Sequence, residues 1–270
     1  MSDEALQPDP WSALRKHTSA RIALGRSGGS LPTRAQLEFR LAHARARDAV
    51  LAEFDAETLG ARLSSLGESV IVVDSAARDR AEFLQRPDLG RRLDDDSRTL
   101  LEAHATTAPS CDLVIIISDG LSTLAANTQA EPLFATLQKL LRDDDWTLAP
   151  VIVARHARVA LQDEIGAILH ARISLILLGE RPGLGSADSL GAYFTYAPSP
   201  GRTDADRNCI SNIRSGGLSP EDAAGKLYAL LTQARRLGLS GVALKDETAM
   251  LGSVTERIAA VTGSEATFTH

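Results

Sequence analysis

The sequence predicts an α/β protein in which a doubly wound, mainly parallel sheet follows a helical N-terminal segment. Three observations predict it. Four short runs rich in Val, Ile and Leu begin at Val70, each apolar throughout instead of alternating. Segments with apolar residues at helical spacing separate them. Ahead of the first run lies a stretch of helical periodicity with polar ends.

In that stretch, Thr33 and Gln36 read as a capping box, and Leu37, Leu41, Ala44 and Leu51 recur at helical spacing. A helix of about twenty residues is expected from Thr33 towards Phe54, ahead of any strand.

The four runs are Val70-Ile71-Val72-Val73, Leu113-Val114-Ile115-Ile116-Ile117, Val151-Ile152-Val153 and Ile173-Ser174-Leu175-Ile176-Leu177-Leu178. Continuous apolar character marks parallel strands buried on both faces, which gives a Rossmann-like arrangement. Leu133, Leu137, Leu140 and Leu141, and later Ile165, Ile168 and Leu169, supply the helical crossovers. A last helix opens with Ser219 as N-cap and Pro220 at its first position, and ends before Gly238. Gly241 to Leu244 is expected as a short final strand. The chain divides into a helical segment (1–65), an α/β domain (66–250) and a C-terminal tail (251–270).

With 270 residues, 44% of them hydrophobic and 24% charged, the chain is long and apolar enough to bury a sizeable core. The net charge of -6 and interspersed acids and bases exclude the basic footprint that nucleic acid requires. No apolar run approaches the roughly 18 to 20 residues of a membrane span. The first residues, MSDEALQPDP, lack the basic start and apolar centre of a secretory signal, and two cysteines, Cys111 and Cys209, make no disulfide framework. The expected location is the cytoplasm, free or enclosed in a bacterial microcompartment.

Ligands of such sheets bind beyond the carboxyl ends of the strands. Asp74-Ser75, Ser118-Asp119-Gly120, Ala154-Arg155-His156 and Gly179-Glu180-Arg181-Pro182-Gly183 stand there. Gly183-Leu184-Gly185-Ser186-Ala187-Asp188 imitates a dinucleotide fingerprint, but Asp188 replaces the third glycine and no helix-forming stretch follows. Gly25-Arg26-Ser27-Gly28-Gly29 follows no strand and reads as a turn. Asp94-Asp95-Asp96 and Asp143-Asp144-Asp145 read as solvated turns. HExxH, CxxC and G-x-S-x-G patterns are absent, so no metal site or catalytic residue is expected within the chain. Residues 202–214, half charged or amide, suggest an ordered loop that meets a specific partner.

The stretches 18–33 (TSARIALGRSGGSLPT), 42–50 (AHARARDAV), 118–122 (SDGLS), 179–184 (GERPGL), 188–191 (DSLG) and 203–213 (TDADRNCISNI) occur in this order. On them the chain resembles the small subunit of ethanolamine ammonia-lyase, from about Trp11 to Leu244. The resemblance implies a radical lyase that uses adenosylcobalamin to convert ethanolamine into acetaldehyde and ammonia. It also implies a hetero-oligomer in which a large barrel subunit binds the substrate and this chain closes over the cobalamin at their interface. Carried over by motif, the cofactor contacts are Val159 after the third apolar run, Glu180 in GERPGL and Cys209 in RNCISN.

A second reading is a stand-alone α/β hydrolase or transferase that uses Ser118, Asp119 and a histidine such as His156; a third is a non-catalytic scaffold. Mutases that place a protein histidine on cobalt carry Asp-x-His-x-x-Gly. None of the six histidines here has aspartate two residues before it. The cofactor is therefore expected to keep its own dimethylbenzimidazole on the metal.

Overall fold

Each of the four apolar runs becomes a strand: β1 (Val70–Asp74), β2 (Cys111–Ser118), β3 (Val151–Arg155) and β4 (Ala171–Gly179). The computed structural model describes residues 6–7, 9–18 and 20–244. The expected tail, 251–270, lies outside the described residues. The four strands pair in parallel in the order β1-β3-β2-β4. Two further strands, β5 (Leu190–Tyr196) and β6 (Arg207–Ile213), extend that edge antiparallel. The sheet is therefore mixed: its four parallel strands are as expected, and the antiparallel β5–β6 edge departs from a Rossmann-like arrangement. The chain returns from β4 through a hairpin loop instead of a helical crossover, so the last strands must reverse direction.

Both faces of the parallel strands are buried, as their continuous apolar runs require. Leu113, Ile115 and Ile117 face one core with Val151, Val153, Ile173 and Leu175; Val114 and Ile116 face the other with Ile152 and Ile176. Successive side chains of a strand point to opposite faces, so a run buried on both must be apolar at every position. Helices α2 (Ala56–Ser65), α5 (Thr123–Arg142) and α7 (Pro220–Leu237) cover the first face. On the second lie α4 (Asp95–Ala105) and α6 (Leu161–Ile168). A further short helix, Arg80–Gln85, follows β1.

The N-terminal helix α1 runs Thr33–Leu51. Its N-cap is Pro32 with no side-chain cap, so Thr33 and Gln36 form no capping box. Only Ala42 and Ala49 are buried; Leu37, Leu41 and Leu51, the expected inward stripe, are exposed. A two-residue antiparallel pairing, Leu6–Gln7 with Arg26–Ser27, precedes this helix, contrary to the expectation that none would. By contrast α7 starts as expected: the Ser219 side chain accepts from the Asp222 N–H, Pro220 follows, and Gly238 closes the helix. The acidic clusters have local duties. Asp94 caps α4 by accepting from Ser97 N–H, and Asp144 accepts from Arg235 and from the Trp146 indole.

Gly241–Ala243 is a 3-10 turn, not the expected strand. Gly241 sits at φ 73°, outside strand geometry, and its N–H donates to the Asn208 side chain at 2.6 Å instead of to a ladder. The polar run 202–214, expected as a loop, contains strand β6. Only Arg207 and Ile213 of that strand are buried, which is why hydropathy hid it.

Candidate functional site

The four parallel strands end on one rim, and the residues after them are bonded to one another. Ser118 and Asp119 form the hub. The Asp119 carboxylate accepts from Ser118 Oγ at 2.9 Å, from the His156 backbone N–H at 2.8 Å and from Arg80 Nη1 at 2.6 Å. Ser118 Oγ in turn accepts from the Ala157 N–H at 3.1 Å. Burial pushes the Asp119 carboxyl up, opposed by the Arg80 guanidinium, and the same burial pulls Arg80 down.

This arrangement removes the hydrolase reading. Ser118 is fully buried, its hydroxyl donates a hydrogen bond to Asp119, and the His156 ring lies against Phe83 with centroids 5.9 Å apart. A nucleophile needs an exposed hydroxyl with a base at hydrogen-bonding distance. Here serine, aspartate and histidine backbone lock loops together.

Beside the hub lies a concavity of about 400 Å³, lined by Gly120, Leu121, Val159, Leu178, Glu180 and Tyr193, with Arg158 and Arg181. Close backbone approach shapes its wall. Leu121 N–H donates to Gly179 O at 2.8 Å, and a Cβ on Gly120 would stand 2.4 Å from that same oxygen.

Two of the three expected contacts, Val159 and Glu180, meet in this concavity. Glu180 Oε2 accepts from Ser189 Oγ at 2.6 Å and from Asn212 N–H at 3.2 Å, which ties the end of β4 to the start of β5 and to β6. Among the described residues no hydrogen bond reaches its Oε1. Cys209 does not line the concavity. It stands opposite Tyr193 in the β5–β6 register. The Cys209 residue is exposed at the sheet edge, yet its thiol is sheltered enough for burial to push it up. Burial likewise raises the Tyr193 phenol, helped by Cys209 and Glu180.

Sequence reasoning missed Arg158, Arg181 and Tyr193. Arg158 and Arg181 adjoin Val159 and Glu180 in the chain and carried that much signal. Tyr193 lies in β5, which was not foreseen.

A second groove of about 600 Å³ opens between α1 and the 183–188 loop, with Arg21, Leu41 and Arg45 among its lining residues. Within that loop Gly183 and Ser186 form a bridge, so the glycines make a turn and no helix follows. Among the described residues no group of His, Cys, Asp and Glu is placed to hold a metal ion, and no helix is long and apolar enough to cross a membrane.

Comparison with known proteins decides the family. The family model described as "Ethanolamine ammonia-lyase light chain (EutC)" matches residues 8–245. The chain belongs to this family. Among its curated relatives, the ethanolamine ammonia-lyase small subunit of Pseudomonas putida strain W619 is 55% identical over 240 residues, 88% of each chain. Small subunits from Ralstonia nicotianae and Pseudomonas syringae pathovar tomato are 53% and 51% identical. They cover 88% and 92% of this chain, and the matches span 88% and 86% of those proteins.

The stretches that carry the light-chain likeness are not scattered in space. Residues 118–122 and 179–184 supply Gly120, Leu121, Glu180 and Arg181 to the concavity, residues 188–191 supply the Ser189 hydroxyl, and residues 203–213 supply the Asn212 N–H and Cys209. The other two, 18–33 and 42–50, reach the second groove.

Proposed function

We propose that this chain is the small subunit of an adenosylcobalamin-dependent ethanolamine ammonia-lyase, which converts ethanolamine to acetaldehyde and ammonia as a hetero-oligomer with a large subunit. The observation that carries the reading is that the light-chain stretches 118–122 and 179–184 line one concavity with Val159, while 188–191 and 203–213 supply the donors that hold its Glu180.

The residues present suit a cobalamin edge. Cobalamin is rich in amides, which need acceptors as well as donors, and Glu180 Oε1 is an acceptor without a donor among the described residues. The Nε of Arg158 is a buried donor without an acceptor. Val159, Leu121, Leu178 and the Tyr193 ring supply apolar contact. A concavity of about 400 Å³ seats only part of so large a ligand, so the remainder must face another surface, as a subunit interface supplies.

When bound, the cofactor supplies the radical that starts the reaction. The part of this chain is to hold, orient and enclose. Glu180 accepts from cofactor amides while Ser189 and Asn212 fix its carboxylate, and Cys209, opposite Tyr193, adds a small contact at the sheet edge. The chain supplies no catalytic residue and no ligand to cobalt; the cofactor stays base-on. The enclosed surface keeps water from reactive species formed beyond it. We place the complex in the cytoplasm, free or within a bacterial microcompartment.

Reconstitution tests the proposal. The purified chain alone should release no acetaldehyde from ethanolamine, and adding the large subunit with adenosylcobalamin should restore it. Turnover by the isolated chain at the rate of the complex would overturn the assignment.

A further inference from the structure

The concavity carries more positive charge than its known partners explain. Arg158 and Arg181 line it together, and Arg80 shares the Phe83 ring with Arg158, their guanidinium groups 5.1 and 4.3 Å from its centroid. Two carboxylates belong to the same region, Asp119 and Glu180. Asp119 is spent on Arg80, and the bonded oxygen of Glu180 takes neutral donors only. Of the charged groups that line the concavity itself, two are guanidinium groups, Arg158 and Arg181, and one is a carboxylate, Glu180. No ion pair among the described residues includes Arg158 or Arg181. In a chain of net charge -6, a group of unpaired arginines at a concave site is a local reversal of sign.

Arg158 is also held in place. Its guanidinium lies 4.3 Å over the Phe83 ring and its Nη2 donates to Phe83 O at 3.2 Å. Its backbone N–H donates to Gly90 O at 2.7 Å, and a Cβ on Gly90 would come within 2.9 Å of its Cγ, so stem and backbone are both packed. Its Nε is buried without a partner. Such a donor stays uncompensated unless something accepts from it, and a preorganised guanidinium recognises phosphate especially well. Arg181 is exposed on the rim of the same concavity and free to close on a ligand.

We propose that Arg158 and Arg181 form an anion subsite for the phosphate in the nucleotide loop of the cofactor. The inference rests on the cobalamin reading above and adds to it which part of the cofactor this chain grips. It also gives the site a polarity: phosphate on the arginine side, amides on the Glu180 side.

The test compares two corrinoids that differ by a phosphate, cobinamide and cobinamide phosphate, bound to the complex of this chain with the large subunit and followed by visible absorbance. The wild-type complex should bind cobinamide phosphate at least ~10-fold more tightly, the effect of one charge-assisted hydrogen bond. Arg158→Met should remove most of that preference while leaving cobinamide affinity unchanged, and Arg158→Lys should restore part of it. Arg181→Ala, an exposed change that spares folding, should reduce the preference by itself. Equal loss for both corrinoids, or an unaltered preference in both Arg158→Met and Arg181→Ala, would overturn the phosphate assignment and leave cobalamin binding standing. If the wild-type complex bound neither corrinoid nor cobalamin, the cofactor reading would fall and the subsite with it.

Discussion

Arg207 of the edge strand β6 and Asp163 of helix α6 form an ion pair sealed from solvent, their side chains 4% and 3% exposed. The same guanidinium donates to Asp204 at 3.0 Å and to the carbonyl of Arg202 at 3.0 Å. Burial raises the Asp163 carboxyl and Arg207 opposes it. This pair pins the strand that carries Cys209 and Asn212. Arg207→Ala leaves Asp163 buried and unpaired, so it should destabilise the folded chain by about 3 to 5 kcal/mol, whereas removing both charges together costs less. Urea denaturation of Arg207→Ala and of Arg207→Met with Asp163→Leu checks it. Equal losses in the two would show that the pair is not what fixes the strand.

Glu180 is the hinge of the proposed cofactor contact, because one carboxylate oxygen is bonded to Ser189 and Asn212 and the other takes no donor among the described residues. Glu180→Ala should weaken cobalamin retention by the assembled complex by about 1 to 3 kcal/mol, since it strands both the cofactor amide and the Ser189 hydroxyl. Cys209→Ser, which keeps the size, should do less. Equilibrium dialysis of the complex against cobalamin measures both; unchanged affinity in a folded, assembled Glu180→Ala complex would count against the contact.

Ser118→Ala should leave ethanolamine deamination by the complex intact and cost about 1 to 3 kcal/mol of stability, since it strands the Ala157 N–H and takes a donor from the buried Asp119 carboxylate. The reason is its full burial and its donation to Asp119. A serine-reactive phosphonate should fail to label the native chain. Labelling at Ser118 would revive the hydrolase reading.

The parallel half of the fold was legible because burial on both faces leaves a written trace: β1 to β4 are the four apolar runs. Strand β5 was not, since LGAYFTY mixes glycine and aromatics without the aliphatic run, and β6 was not, because an edge strand needs few buried positions. At the site, Val159 and Glu180 were named from motif likeness and do share a concavity, whereas their meeting with Tyr193 depends on a β4–β5 register that no spacing in the sequence encodes. The exposed stripe of α1 misled for a plain reason. Helical periodicity shows that a face is apolar, not what covers it.

Asp206 should report pH at the turn that leads into β6. Its carboxylate accepts from the Thr203 N–H and hydroxyl, both at 2.8 Å, and these bonds, with Arg202 and Arg207 nearby, hold it below the usual aspartate value. A depressed folded-state pKa means that its contribution is complete above the unfolded value, about 3.9, and fades as pH falls through the folded one. The Thr203 amide resonance should therefore move with pH only at the acid end, below about 4. Asp206→Asn should abolish that movement; an unaltered titration would assign it to another group.

Cobalt should take its axial nitrogen from the cofactor's own base and not from this chain. Among the described residues no histidine lines the concavity, and the His156 ring, at the rim, is turned against Phe83. Placing imidazole on a metal also requires a group that orients the ring, usually a carboxylate on its other nitrogen. The positions two before the histidines hold Arg15, Leu41, Glu102, Ala154, Ile168 and Phe268, and the one acid, Glu102, leads to His104 without the glycine that the mutase motif requires. His270 lies outside the described residues, but Phe268 occupies the position where the aspartate would stand. The complex loaded with paramagnetic cob(II)alamin should therefore show an electron paramagnetic resonance spectrum unaltered when histidine nitrogen is isotopically labelled, because the axial nitrogen belongs to the cofactor's own base. A hyperfine change on labelling would mean that a protein histidine binds the metal. If that change also vanished when a histidine of this chain was replaced, the base-on reading, and with it the assignment of this chain as a partner that holds the cofactor without ligating cobalt, would be wrong.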